Sequence, residues 1–202
     1  EYRWHLLRAR RAQDAGDLDA ALRDLDEAER TFYPTPVPDV RPIPALRACV
    51  QLAAGRRAEA EAWAAARGLA PDDPPSYLRE FEQLVLARIL LARFRAVGDA
   101  PALETALELL DRLERHAEAQ GRSASVTEIL VVRALVHDAA GDVPAAGAAL
   151  ARALALAEPE GWLRAFTREG APMRPLLRSA GPRTPFARAV AAAMPGRDGD
   201  AA

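Results

Sequence analysis

Four times along this chain a glycine falls at the joint between two helix-sized stretches rich in Ala and Leu. The joints read Ala15-Gly16-Asp17, Ala54-Gly55-Arg56, Val97-Gly98-Asp99 and Ala140-Gly141-Asp142. Successive joint glycines lie 39, 43 and 43 residues apart. A repeat of that length, written as helix, tight turn and helix, specifies stacked helical hairpins that bury their apolar faces against one another. The glycines have a local reason as well. A helix that ends in a left-handed residue prefers glycine, which has no Cβ to clash. The expectation is an all-α chain with no sheet, a superhelix of about four hairpins followed by capping helices.

The periodicity places the first hairpin at residues 2–15 and 18–32. Leu18, Ala21, Leu22, Leu25 and Ala28 share one face, and Asp24, Asp26 and Glu27 are expected outside as solvated charge, as are Asp72 and Asp73. Pro34, Pro36, Pro38, Pro42 and Pro44 then favour an extended connector. The second hairpin reads 45–54 and 58–67, closed by Gly68. Pro71, Pro74 and Pro75 break the chain again, with Ser76 as the expected N-cap of the next helix. The third pair spans 77–97 and 101–119, and the fourth 125–140 and 144–157. Pro101 and Pro144 suit the first turn of a second helix.

Aligned on their turn glycines, the repeats predict burial of Ala9, Ala12, Ala21, Leu25 and Ala28 in the first hairpin. In the fourth they predict Leu130, Ala134, His137, Ala146, Leu150, Ala153 and Leu154. Glu158-Pro159-Glu160-Gly161 stops the last repeat helix. Trp162 and Phe166, four apart, are expected on a short capping helix, with further helices from Gly170 and over Pro185–Met194. The domain plan is therefore helical repeats over 1–157, capping helices of the same domain over 158–195, and a polar linker or tail over 196–202.

Composition narrows the function classes. All 27 basic residues are Arg, since the chain has no Lys, and it has no Asn either, a pattern that a GC-rich genome produces. A net charge of −2 supplies no global basic field for nucleic acid. A single cysteine, Cys49, cannot form an internal disulfide and suits a reducing cytosol, so the expected location is cytoplasmic. The most apolar run, Leu84 to Phe94, is broken by Arg88 and Arg93 and is far short of a membrane span. Position 1 is Glu, which suggests a piece of a longer protein.

Catalytic and metal constellations are missing from the sequence. His5, His116 and His137 lie on separate helices without ligand spacing, and His137 reads as a packed core histidine. Cys49 has no evident base, and no G-x-S-x-G occurs. The expectation is a non-enzyme without cofactor or metal. Arg8, Arg10 and Arg11 read as surface charge paired with Asp14, Asp17 and Asp19.

Candidate binding residues come from the side that the first helix of each hairpin presents to a concave groove. The turn alignment puts Arg10 and Gln13, Cys49, Arg88, Ala92 and Arg95, and Glu128, Val131 and Leu135 there. Arg10, Arg88, Arg95 and Glu128 are the candidate ligand-binding set. Arg88 interrupts the most apolar helix, and a desolvated Arg needs a partner. That partner is either a ligand or, as a structural pair, Glu128 or Glu80.

The segments Val40-Arg41-Pro42-Ile43, Leu78-Arg79-Glu80-Phe81-Glu82, Leu86-Ala87-Arg88-Ile89-Leu90-Leu91-Ala92, Ala155-Leu156-Ala157-Glu158-Pro159-Glu160-Gly161-Trp162 and Glu169-Gly170-Ala171-Pro172-Met173-Arg174-Pro175-Leu176-Leu177 follow one another in this order. They resemble the helical-repeat sensor region, of the tetratricopeptide-repeat (TPR) kind, in MalT-like regulators of the LuxR type. The resemblance runs from about Tyr2 to Met194. It implies a regulatory middle domain for sensing and oligomerisation, which receives a small-molecule or protein inducer and contacts an ATPase module and a helix-turn-helix module. Neither module is present here. A Walker P-loop needs Lys, and too little chain follows Met194 for a helix-turn-helix. ATP and DNA contacts are therefore expected outside this segment. The alternative reading is a free-standing TPR-like adaptor that holds a peptide or protein in its groove.

Overall fold

A computed structural model describes residues 1–34, 36–180 and 184–194. Among the described residues all regular structure is helical: α1 (Tyr2–Asp14), α2 (Leu18–Arg30), α3 (Ile43–Ala53), α4 (Arg57–Ala66), α5 (Glu80–Val97), α6 (Ala100–Ala119), α7 (Ser123–Ala139), α8 (Val143–Ala157), α9 (Arg164–Thr167), α10 (Met173–Ala180) and α11 (Pro185–Ala193). A single 3₁₀ turn, Glu158–Glu160, follows α8. The expected tail, 196–202, lies outside the described residues.

The joints do what the glycines predict. At the first, the Gly16 N–H donates to the Gln13 carbonyl (3.1 Å) and the Asp17 N–H to the Ala12 carbonyl (2.9 Å), with Gly16 at φ 81°. This pair of bonds satisfies carbonyls that the helix end would otherwise leave open. The Asp17 carboxylate then accepts the Ala20 N–H at 2.9 Å, so one residue closes α1 and opens α2. Gly141 and Asp142 repeat the arrangement, with Asp142 N–H on the His137 carbonyl (2.9 Å) and the Ala145 N–H on its carboxylate (3.0 Å). At the third joint Gly98 is itself the cap residue, at φ 71°.

The chain forms two compact units, Glu1–Leu109 and Leu110–Ala202. In the first, α1 packs on α2, α2 on α3, and α5 on both α3 and α4. Its N-terminal core joins Ala9, Ala21, Leu22, Leu25 and Ala28 to Ile43 and Val50 of the next hairpin. Each fully buried Leu or Ile there contributes about 1.5–3 kcal/mol relative to exposure. In the second unit α7 pairs with α8, α9 packs on α7, and α10 lies on both α7 and α8. Met173, Leu176 and Leu177, spaced three and four apart, make the buried face of α10.

Several expectations change. Helix α5 begins at Glu80, and its N-cap is Arg79, not Ser76. Residues after Pro75 first make a turn in which the Arg79 N–H donates to the Ser76 carbonyl at 3.0 Å. Trp162 precedes α9: it follows the left-handed Gly161, and its N–H returns to the Ala157 carbonyl at 3.2 Å. Trp162 is half-buried there, while Phe166 is fully buried within α9. Ala12, Leu154 and His137 are half-buried rather than buried. Asp24 is buried rather than solvated. It sits one helical turn before Ala28 on the same face, and His5 Nδ1 (3.5 Å) and Arg8 Nε (3.3 Å) meet its Oδ1.

Candidate functional site

The four residues of the expected ligand set occupy different settings. Arg10 on α1 is exposed, as is Arg95, whose charge suits the last turn of α5. Arg88 is half-buried, with Nη1 3.4 Å from the Leu84 carbonyl. Arg88 and Arg95 lie seven residues apart and so share one face of α5. Arg10 stands on another helix of that unit, and Glu128 belongs to the second unit.

Glu128 is held by the chain itself. Arg168, just past α9, places Nη2 3.0 Å from Oε2 and Nη1 3.2 Å from Oε1. Both side chains are about one-sixth exposed, so one hydrogen bond from Nη1 and the ionic contact of Nη2 act in a partly dry setting. Val131 and Leu135 are 0% and 3% exposed, so their expected place on an open side is corrected. Helices α9 and α10 both pack on α7.

A feature not read from the sequence runs through the repeats. Arg47 on α3 binds Asp26 (3.0 Å) and Glu29 on α2. Arg93 on α5 binds Glu61 on α4 at 3.1 Å. Arg133 on α7 binds Asp111 and Glu114 (2.9 Å) on α6, and Arg152 on α8 binds Glu114 and Glu118. At these three junctions, α2 to α3, α4 to α5 and α6 to α7, a hairpin's second helix offers carboxylates to an Arg on the first helix of the next, and α6 also holds Arg152 of α8. The available signal was register: Arg47 and Arg133 both stand eight residues before their turn glycine.

The other polar clusters are also structural. Glu82, 2% exposed, accepts from Arg67 Nε at 2.6 Å and faces Arg79, which reaches back to Asp73. Arg41 lies 4.8 Å over the Phe81 ring and ties the proline connector to α5. Burial pulls the His137 imidazole below its ordinary pKa, against the nearby Asp142 carboxylate. Among the described residues no group of His, Cys, Asp and Glu could hold a metal ion, and no helix is long and apolar enough to cross a membrane.

Glycine-closed hairpins and acid-to-Arg junctions, with α9 and α10 packed on the last pair, make a scaffold of stacked helical repeats. The family described as the MalT-like TPR region matches residues 2–183, nearly the whole chain. The chain belongs to that family. No curated protein and no solved structure matches it. A MalT-like TPR region is a helical-repeat regulatory or interaction domain, and repeats of this fold are in general non-catalytic scaffolds. Its all-α, TPR-like architecture agrees with the helices described above.

Proposed function

We propose that this MalT-like TPR region is the inducer-sensing and protein-interaction domain of a LuxR-type transcriptional activator in the bacterial cytoplasm. The observation behind the reading is the family match over residues 2–183. In this reading the repeats receive a small molecule or protein and pass its occupancy to ATPase and helix-turn-helix modules encoded elsewhere in the parent protein. The domain itself touches no DNA and needs no cofactor, and self-association accompanies its active state. Arg88 and Arg95 form the central pair of the inducer contact, with Arg10 beside the first joint. Glu128, through Arg168, couples the last repeat to its cap. A fixed, planar donor such as Arg88 in an apolar helix suits an inducer with a carboxylate, phosphate or carbonyl group.

The test is a reporter assay with the polypeptide of the complete reading frame. Inducible transcription is expected, and deletion of residues 2–183 should leave output independent of inducer. Arg88→Ala should shift the inducer dose needed while leaving the melting temperature close to the parent's. A frame without DNA-binding and ATPase modules, or induction that survives the deletion, would overturn the reading.

A further inference from the structure

The face of α1 that points away from the core carries Trp4, Leu7 and Arg11, at steps of three and four residues. Trp4 is 59% exposed and Leu7 53%, an uncommon setting for large apolar side chains on a regular helix. Their register is informative. Trp4 stands twelve residues before its turn glycine, a place held by Ile43, Leu86 and Ile129 in the later hairpins. All three are buried, at 4%, 7% and 0% exposure. Leu7, nine residues before the glycine, corresponds to Leu46, Ile89 and Val132, of which Ile89 and Val132 are buried and Leu46 partly so. In the second hairpin the covering element is visible, since Ile43 and Leu46 belong to the cluster built on α2 of the hairpin before it.

Charge follows the same register. Arg8 stands where Arg47 and Arg133 stand, eight residues before the glycine, and Arg11 stands where Arg93 does, five before it. Arg47, Arg93 and Arg133 each take carboxylates from a preceding second helix. Helix α1 itself carries Arg3, Arg8, Arg10 and Arg11 against one acid, Asp14, and the half-exposed Arg8 also meets Asp24 of α2 at 3.3 Å. A second copy of this chain stacking head to tail would have to offer α8, the last second helix. Val143–Ala157 contains no carboxylate, and α10 already lies on it.

We propose that the outward face of α1, centred on Trp4, Leu7 and Arg11, docks an acidic amphipathic helix supplied from outside these 202 residues. The occupant has the chemistry of α2: a Leu/Ala stripe flanked by Asp and Glu. Its apolar stripe covers Trp4 and Leu7, and its carboxylates meet Arg11 and the half-exposed Arg8. Trp and Arg are the residues on which helix-docking affinity most often rests.

The probe is a dye-labelled peptide with the sequence Asp17–Thr31, stapled through positions 23 and 27 so that it is helical in solution. Its anisotropy is titrated with the intact chain. Saturable binding is expected, weakened about tenfold or more by Trp4→Ala and by Arg11→Glu, both of which keep the parent's melting curve. A peptide with Asp26 and Glu29 changed to Arg should bind the parent poorly and Arg11→Glu better. Absence of saturable binding by the helical peptide, or binding indifferent to Trp4 and Arg11, overturns the proposal. A concentration-dependent dimer lost in Trp4→Ala also overturns it, by assigning the face to a second copy. None of these outcomes bears on the transcriptional reading, which the reporter assay tests separately.

Discussion

The first and last hairpins share a turn and little else. Both close through a left-handed glycine followed by an Asp that caps the next helix. Beyond that joint, α1 presents Trp4, Leu7 and arginines to solvent, whereas α7 and α8 are covered by α9 and α10. The chain's own C-terminal segment does for the last repeat what nothing among the described residues does for the first. A repeat helix has two lateral faces to satisfy, and the turn only decides how its two helices meet. What lies on the second face therefore distinguishes a helix that is buried on both sides from one left open on one side.

The largest expected effect tests the cap. Phe166 is fully buried and meets the Phe186 ring edge-on at 6.3 Å. Phe166→Ala should destabilise the chain by about 3–5 kcal/mol, read from urea midpoints. Trp4→Ala, a change of the same kind on α1, should cost less than about 0.5 kcal/mol. Equal losses at the two sites would erase the distinction between the two hairpins. Arg168→Ala should cost about 1–2 kcal/mol, because Glu128 stays partly buried without this donor and its charge. An unchanged midpoint would mean that the cap is held by its apolar residues alone.

How much of this was legible follows from how local each cause is. The joints could be read directly, since a left-handed residue and a capping Asp act within a few residues of each other. The α10 face could be inferred from the spacing of Met173, Leu176 and Leu177. Asp24 could not be placed from α2 alone. Its burial depends on His5 and Arg8 from the neighbouring helix, although its place one turn before Ala28 was a warning. The Arg8, Arg47 and Arg133 register was present in the sequence, but charge reads as surface until a partner helix is known. Val131 and Leu135 were misplaced because α7 packs against α8, α9 and α10 together, and the burial of one position in such a helix is not local information. Arg88 and Arg95 share a face of α5 by spacing alone.

A smaller effect separates two glycines six residues apart in the last hairpin. Gly141, at φ 77°, has open space where a Cβ would stand, so the cost of Gly141→Val is purely conformational and should be about 1–2 kcal/mol. Gly147 lies inside α8 with ordinary helical backbone and the same open space. Gly147→Ala should therefore stabilise by about 0.4–1 kcal/mol, mainly by restricting the unfolded chain. Opposite signs are the expected result, and a gain at both positions would show that the joint tolerates another geometry.

The smallest expected effects concern pH and again set one unit against the other. In the second, burial lowers the His137 pKa below about 6.5, with Arg133 in the same direction and Asp142 and Asp111 opposing. The unfolded chain then binds the proton more readily, so stability is present above about pH 6.5 and is lost as pH falls through the depressed folded value. In the first, burial raises the Glu61 pKa, but hydrogen bonds from Arg57 and Arg93 outweigh it and hold the carboxyl below about 4.5. Its contribution is complete above that pH and lost only below it. Urea midpoints of the parent, His137→Gln and Glu61→Gln across this range should differ by less than about 1 kcal/mol. Acidification should reach the His137 step first. His137→Gln should flatten the upper part of the profile and Glu61→Gln the lower part. Loss of the upper step in Glu61→Gln would mean that an acid-to-Arg junction, rather than a buried histidine, governs the response near neutrality.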